Sequence, residues 1–189
     1  MKDLNWKTLS SEYIFKETWF TIRRDTCERA DGKIISPYYV YEFPTWVAAV
    51  ALTQEGKIIL VRQYRHALNV TNFEAPGGCV DDTDASLEVA IARELLEETG
   101  YHFEKFEQIA KISSNPSTNN NWMHIFLATG GKLVQAQQLD HNEDIEVYLF
   151  SIDEVKKLLK ENQIVQSMHV TALFYALEKL GEISLTPNA

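Results

Sequence analysis

The sequence predicts an α/β sandwich, a mixed sheet flanked by helices, preceded by a small β-rich piece at residues 1–43. Three observations lead there. Short apolar or β-branched runs recur at 47–52, 57–63, 106–113, 122–128 and 145–150, as strands require. Amphipathic helical stretches are interspersed with those runs rather than gathered in one block. The length, 189 residues of which 45% are hydrophobic, suits one principal domain, residues 44–189, with an ordinary core.

Residues 11–24 are rich in aromatic and β-branched types and read as strand. Asp31-Gly32 is a hairpin-turn signal ahead of the next strand, Tyr38–Phe43, which Pro44 closes. Val47–Leu52 is apolar throughout, so it predicts a buried strand. Gln54-Glu55-Gly56 turns the chain into a strand over Lys57–Gln63, and a short strand at Asn72–Glu74 feeds the Gly77-Gly78 loop. A helix follows over Ser86–Thr99, with Asp84 or Ser86 as its N-cap and Gly100 as its stop. Leu87, Ile91 and Leu95 recur every four residues and give it a core face, placed opposite the acidic one.

Phe106–Ser113 and Trp122–Ala128 read as strands, separated by the polar loop Asn115-Pro116-Ser117-Thr118-Asn119-Asn120-Asn121. That loop is long enough to act as a lid over a bound ligand. Ile145–Phe150 is another strand, Ile152–Glu161 an amphipathic helix, and Gln166–Leu180 the last helix.

The formal net charge of −9 argues against a nucleic-acid or membrane-surface binder, since both polyanions need basic patches. A small anionic substrate stays possible, because a metal ion or a few Arg can invert the charge locally. Cys27 and Cys79 are too few for a disulfide framework. No apolar run approaches the roughly 20 residues of a membrane helix, and the first residues do not form a signal peptide; the expectation is a soluble, cytoplasmic protein.

The chemistry concentrates in residues 77–100. Glu94 and Glu98 are four apart and share a helix face, with Glu97 beside them. Carboxylates crowded in this way repel one another, and such a cluster suits a hard divalent cation that prefers oxygen ligands. Bound Mg²⁺ or Mn²⁺ would neutralise phosphate oxygens and lower the pKa of a water. Arg93, four residues before Glu97, is placed to hold that glutamate and offset the repulsion.

This segment resembles the Nudix box, the signature of hydrolases that cleave nucleoside diphosphates linked to another group. The box reads Gly, five residues, Glu, seven residues, then Arg-Glu-aliphatic-any-Glu-Glu-any-Gly. Arg93 to Gly100 matches at every fixed position, but one surplus residue separates Gly78 from Arg93, and the first Glu of the pattern falls on Asp84 or Ala85. The resemblance implies a Nudix-type α/β/α sandwich over about residues 44–180. It implies Glu94 and Glu98 as metal ligands, joined by the Gly77 carbonyl, with Glu97 as a further ligand or as the base.

Three further stretches resemble the ADP-ribose pyrophosphatase subfamily. Matching Ile145 and Val147 places Glu143 on a metal-ligand or catalytic position, with His141 where that subfamily has a Glu; the base is then Glu97, His141 or Glu143. Val61-Arg62-Gln63-Tyr64-Arg65-His66 offers Arg62 and Arg65 to a diphosphate. Phe73-Glu74-Ala75-Pro76-Gly77-Gly78 offers Glu74 to ribose hydroxyls or to a neighbouring Arg. Trp19 and Trp46 are candidates to stack on adenine. The resemblance further implies a homodimer that exchanges its N-terminal β piece. The function expected is metal-dependent hydrolysis of ADP-ribose to AMP and ribose 5-phosphate. The alternatives are a nucleotide-sugar pyrophosphatase, for example for GDP-mannose, and a non-catalytic ligand-binding module.

Overall fold

Strands β1 (Lys7–Glu17), β2 (Phe20–Glu28) and β3 (Ile34–Glu42) form an antiparallel sheet in the order β1-β2-β3. The single strand expected over 11–24 is in fact parts of two, paired from Glu17↔Phe20 back to Lys7↔Glu28. The stretch contains no Gly, Pro, Asn or Asp, so its strand-like composition hides the reversal. The computed structural model describes residues 2–17 and 20–184, and Trp19 lies outside them. Loop residues Ser113–Trp122 group with this N-terminal sheet. Tyr38 donates its hydroxyl to the Ser117 carbonyl at 2.6 Å, the Phe43 amide donates to Asn120 Oδ1 at 3.1 Å, and Asn119 bridges to Tyr41. The polar loop expected as a lid is thus tied to β3.

The larger unit, Thr45–Ile112 with Met123 onward, holds the remaining elements. These are β4 (Trp46–Thr53), β5 (Ile58–Arg65), β6 (Val70–Glu74), β7 (Gly77–Cys79), α1 (Leu87–Thr99), β8 (Tyr101–His102), β9 (Lys105–Ile112), β10 (Met123–Leu133), β11 (Ile145–Phe150), α2 (Ile152–Lys160) and α3 (Ser167–Lys179). They build a mixed sheet in the order β11-β5-β4-β10-β8, parallel between β4 and β10 and antiparallel elsewhere.

Strand β4 explains the layering. Ala48, Val50 and Leu52 face one core cluster with Val155 of α2 and Met168, Ala172, Leu173 and Ala176 of α3. Val47, Ala49 and Ala51 face the other, with Ala90, Ile91 and Leu95 of α1. A strand covered on both faces must be apolar at every position, which is why it reads as an unbroken run. The result is α/β/α.

One departure from a regular sheet positions everything that follows. Strands β4 and β5 pair only at Ala51↔Ile59 and Leu52↔Ile58 and then splay. Beyond that point β6 takes over the pairing with β5, and β7 the pairing with β4. Residues 74–77 therefore sit in a fork between the two central strands. Gly77-Gly78, expected as a loop, belongs to strand β7.

Candidate active site

Helix α1 begins at the N-cap Ser86, whose side chain accepts from the Val89 amide, and stops at Gly100, left-handed at φ 75°. Its carboxylates do not all lie opposite the core. Glu98 follows Ile91 by seven and Leu95 by three, so it shares their buried face, and the residue is 4% exposed. Its Oε2 accepts from the Gly77 amide at 2.9 Å, which joins helix to fork. Burial, with repulsion from Glu94 and Glu143, pushes Glu98 up to about 8. Burial foremost, with repulsion from Glu97 and Glu143, takes Glu94 to about 7 against the pull of Arg93. Glu97 is the most open of the three, its side chain 40% exposed.

Arg93 is saturated. Nε and Nη2 grip Asp84 at 3.2 and 2.9 Å, Nη1 reaches Glu94 and Glu97 at 3.0 Å each, and Nη2 also donates to the Cys79 carbonyl at 3.1 Å. Five bonds use all five guanidinium donors. Arg93 therefore acts through its neighbours, without a donor left for a phosphate. Of the two positions on which the first box Glu can fall, Asp84 is the one with a carboxylate, and its side chain, held by Arg93, is 3% exposed. The surplus residue is absorbed in a turn: the Asp84 amide donates to the Asp81 carbonyl at 3.0 Å, and the Asp81 amide returns to Asp84 Oδ2 at 2.8 Å.

The segment after β10 pins the end of the helix. Gln137 donates Nε2 to the Glu98 carbonyl at 2.6 Å and to the Ile145 carbonyl at 3.0 Å, while the Gln138 amide donates to the Glu97 carbonyl at 2.8 Å. These bonds satisfy last-turn carbonyls and bring the following loop alongside α1. Glu143 sits in that loop, half-buried, with its carboxylate accepting from the Asp140 amide at 3.0 Å. Its charge raises both Glu94 and Glu98, whereas His141 is exposed. Nothing in the residues near Gln137 marks its role.

Arg65 and Glu74 meet in the fork. Arg65 donates Nε to Glu74 Oε1 at 2.9 Å and Nη2 to Oε2, and Asn72 adds a bond to Oε1 at 3.1 Å. Burial opposes ionisation of Glu74, yet Arg65 and Asn72 hold its pKa below the ordinary range. Arg65 also feels Glu98 and Glu143. Arg62 is elsewhere: it pairs with Glu146 across the β5–β11 register at 2.8 Å, at an exposed position. Trp46 starts β4 and packs against the core cluster shared with α2 and α3. His169 of α3, which the sequence singled out in no way, lies 3.6 Å from Glu74. Its one signal is a histidine on an otherwise apolar helical face.

A model of the NUDIX domain matches residues 43–170, and one described as the nucleoside diphosphate sugar hydrolase N-terminal domain matches residues 6–41. The chain belongs to the Nudix family. This Nudix hydrolase is 32% identical to an ADP-ribose pyrophosphatase of Bacillus subtilis (strain 168), over 93% of its own length and 94% of that protein. It is likewise 32% identical to a methanol dehydrogenase activator of Bacillus methanolicus, covering 89% of the chain and 91% of the relative. It is 27% identical to a GDP-mannose pyrophosphatase of Cronobacter sakazakii (strain ATCC BAA-894), covering 92% and 95%. A crystal structure described as an ADP compounds hydrolase shares the fold, with a TM-score of 0.82 at 23% identity over 97% of this chain and 100% of that one.

Nudix hydrolases are generally divalent-metal dependent, and the residues here suit such an ion. The donors are carboxylate oxygens, which hard cations prefer. Burial and repulsion raise Glu94 and Glu98 even with Arg93 in contact with Glu94, so the cluster suits further positive charge. A Cβ on Gly78 would fall 2.6 Å from the Glu94 carboxylate, so only glycine lets that group lie against β7. Among the described residues no three such side chains already form an ion cage. Glu94 and Glu97 lean on Arg93, Glu98 on Gly77 and Glu143 on its own turn. Among the described residues no helix is long and apolar enough to cross a membrane.

Proposed function

We propose that this Nudix hydrolase splits ADP-ribose into AMP and ribose 5-phosphate with Mg²⁺ or Mn²⁺ as its ion. The observation carrying this reading is the pair of glutamates Glu94 and Glu98, the first half-buried and the second buried, with Arg65 near enough to feel the charge of Glu98, in a chain similar to ADP-ribose pyrophosphatases over nearly its full length. Glu94, Glu98, Glu143 and the Gly77 carbonyl would hold the ion. When bound, it supplies charge neutralisation at the diphosphate and a more acidic water.

The chain's own groups do the remainder. Glu97, the most exposed of the helix glutamates, accepts the proton of the attacking water, in an orientation that Arg93 fixes. Arg65 offers its guanidinium to the diphosphate, and Arg62 does so only by leaving Glu146. Stacking on the base is assigned to Trp19 and Trp46 from their aromatic planes. A homodimer is supported by the open edge strand β1, which is exposed along its whole length and displays Leu9, Tyr13, Ile14 and Phe15. Free thiols at Cys27 and Cys79 accord with the cytoplasm.

Product analysis across a panel of roughly a dozen nucleoside diphosphate compounds, each with Mg²⁺ or Mn²⁺, tests the reading. ADP-ribose should give the highest kcat/KM, releasing AMP, and the protein should sediment as a dimer. Faster release of GMP from GDP-mannose would favour the second reading, to which the similarity to GDP-mannose pyrophosphatases points. No nucleotide release from any compound would overturn both.

A further inference from the structure

Glu74 is 1% exposed, and among the groups around its carboxylate one is open enough to leave. Arg65, which grips both oxygens, has a side chain 44% exposed. Asn72 adds its bond to Oε1, and Gln63 Nε2 reaches Oε2 at 3.4 Å. From α3, on the sheet face away from α1, His169 brings Nδ1 within 3.6 Å of Oε2, just beyond hydrogen-bond reach. That nitrogen is buried and has no hydrogen-bond partner among the described residues.

An unpaired imidazole nitrogen in a core costs stability, and an apolar residue beside Met168, Ala172 and Leu173 would avoid that cost. The histidine therefore calls for a second state in which its nitrogen is used. The fork supplies one. Arg65 feels Glu98 and Glu143 and is open enough to turn toward an anion held among them. Once it turns, Glu74 becomes a buried carboxylate without its cation, which a core tolerates poorly.

We propose that His169 is a positioning residue that takes over Glu74 when Arg65 turns to the anionic oxygens of the substrate. This rests on the reading of Arg65 as a diphosphate ligand. Charge balances in the exchange: the guanidinium leaves Oε2, and a proton drawn from water onto Nδ1 replaces it, donated to Oε2. Glu74 and Arg65 are the charged groups that act on the ring. Burial, aided by Arg65 and opposed by Glu74, keeps it neutral before the exchange, at about 4.

Nitrogen-15 histidine NMR on the full chain at pH 7 reads the exchange directly. The probe is the α,β-methylene analogue of ADP-ribose with Mg²⁺, its binding followed in parallel by calorimetry. Nδ1 of His169 should pass from unprotonated to protonated on binding. Binding without that change overturns the proposal alone, whereas failure of the analogue to bind overturns it together with the substrate reading. Kinetics separate positioning from bulk structure. H169L should raise KM about tenfold with kcat within about threefold, and H169N, whose amide can donate to Oε2, should return KM to within about twofold. Unchanged KM in H169L, or equal loss in both variants, overturns the assignment.

Discussion

At the residue scale, Glu98 concentrates the conflict on which the site is built. It occupies a core position by helical periodicity, yet it is a carboxylate that the Gly77 amide alone contacts directly through hydrogen bonding among the described residues. Glu98→Gln keeps the shape and an oxygen able to accept from Gly77 while removing the charge. Turnover should fall about a hundredfold or more, roughly 3 kcal/mol of barrier. The thermal midpoint of the metal-free protein at pH 7 should hold or rise, because the variant no longer carries a carboxyl that ionises more readily in the unfolded chain than in the fold. Near-full turnover in this variant would show that Glu98 is not a ligand. The sequence marks Glu98 as part of an acidic triplet but does not disclose its burial, since periodicity shows which residues share a face and not how far the core extends along it.

At the element scale, β7 and α1 depend on two adjacent glycines for different reasons. Gly77 has φ 151°, and a Cβ there would meet the Val47 carbonyl oxygen at 2.2 Å, so Gly77→Ala strains the backbone within the central sheet. It should cost about 2 kcal/mol or more of stability. At Gly78 the atoms nearest an added Cβ are those of the Glu94 carboxylate, the far end of a side chain that can swing away. Gly78→Ala should hold stability within ~1 kcal/mol and lower turnover about tenfold or more. Chemical denaturation beside steady-state kinetics separates the two, and equal stability loss in both would contradict this division. The helix itself was legible, because the Ser86 cap, the four-residue apolar repeat and Gly100 are local signals. The Asp81–Asp84 turn was not, because the box pattern counts residues and cannot say how a surplus one is folded away.

At the scale of the larger unit, the layers were legible and the fork was not. An unbroken apolar β4 and amphipathic helices indicate a sheet covered on both faces. Where β4 and β5 part depends on pairing between distant residues, which no local pattern records. One buried group of α3 beside the fork, His169, has an effect that extends to folding stability. Its pKa in the native protein is pushed down to about 4, from an ordinary value near 6.5, chiefly by burial. Below 6.5 the unfolded chain binds a proton that the native ring refuses, so this residue's contribution is intact above that pH. It declines as pH falls toward 4, by up to about 3 kcal/mol. Glu94 and Glu98, raised to about 7 and 8, act with the opposite sign, stabilising the fold at low pH and losing that contribution as pH rises. Their effect cancels in a comparison of wild type with H169L, which leaves both glutamates in place. Denaturation from pH 7.5 down to 4.5, without metal or nucleotide, should therefore show a stability gap that is constant above pH 6.5 and widens in favour of H169L below it. A gap flat across the whole range would mean that His169 is protonated as readily in the fold as in the unfolded chain, and that its burial beside Arg65 and Glu74 exerts no hold on its proton.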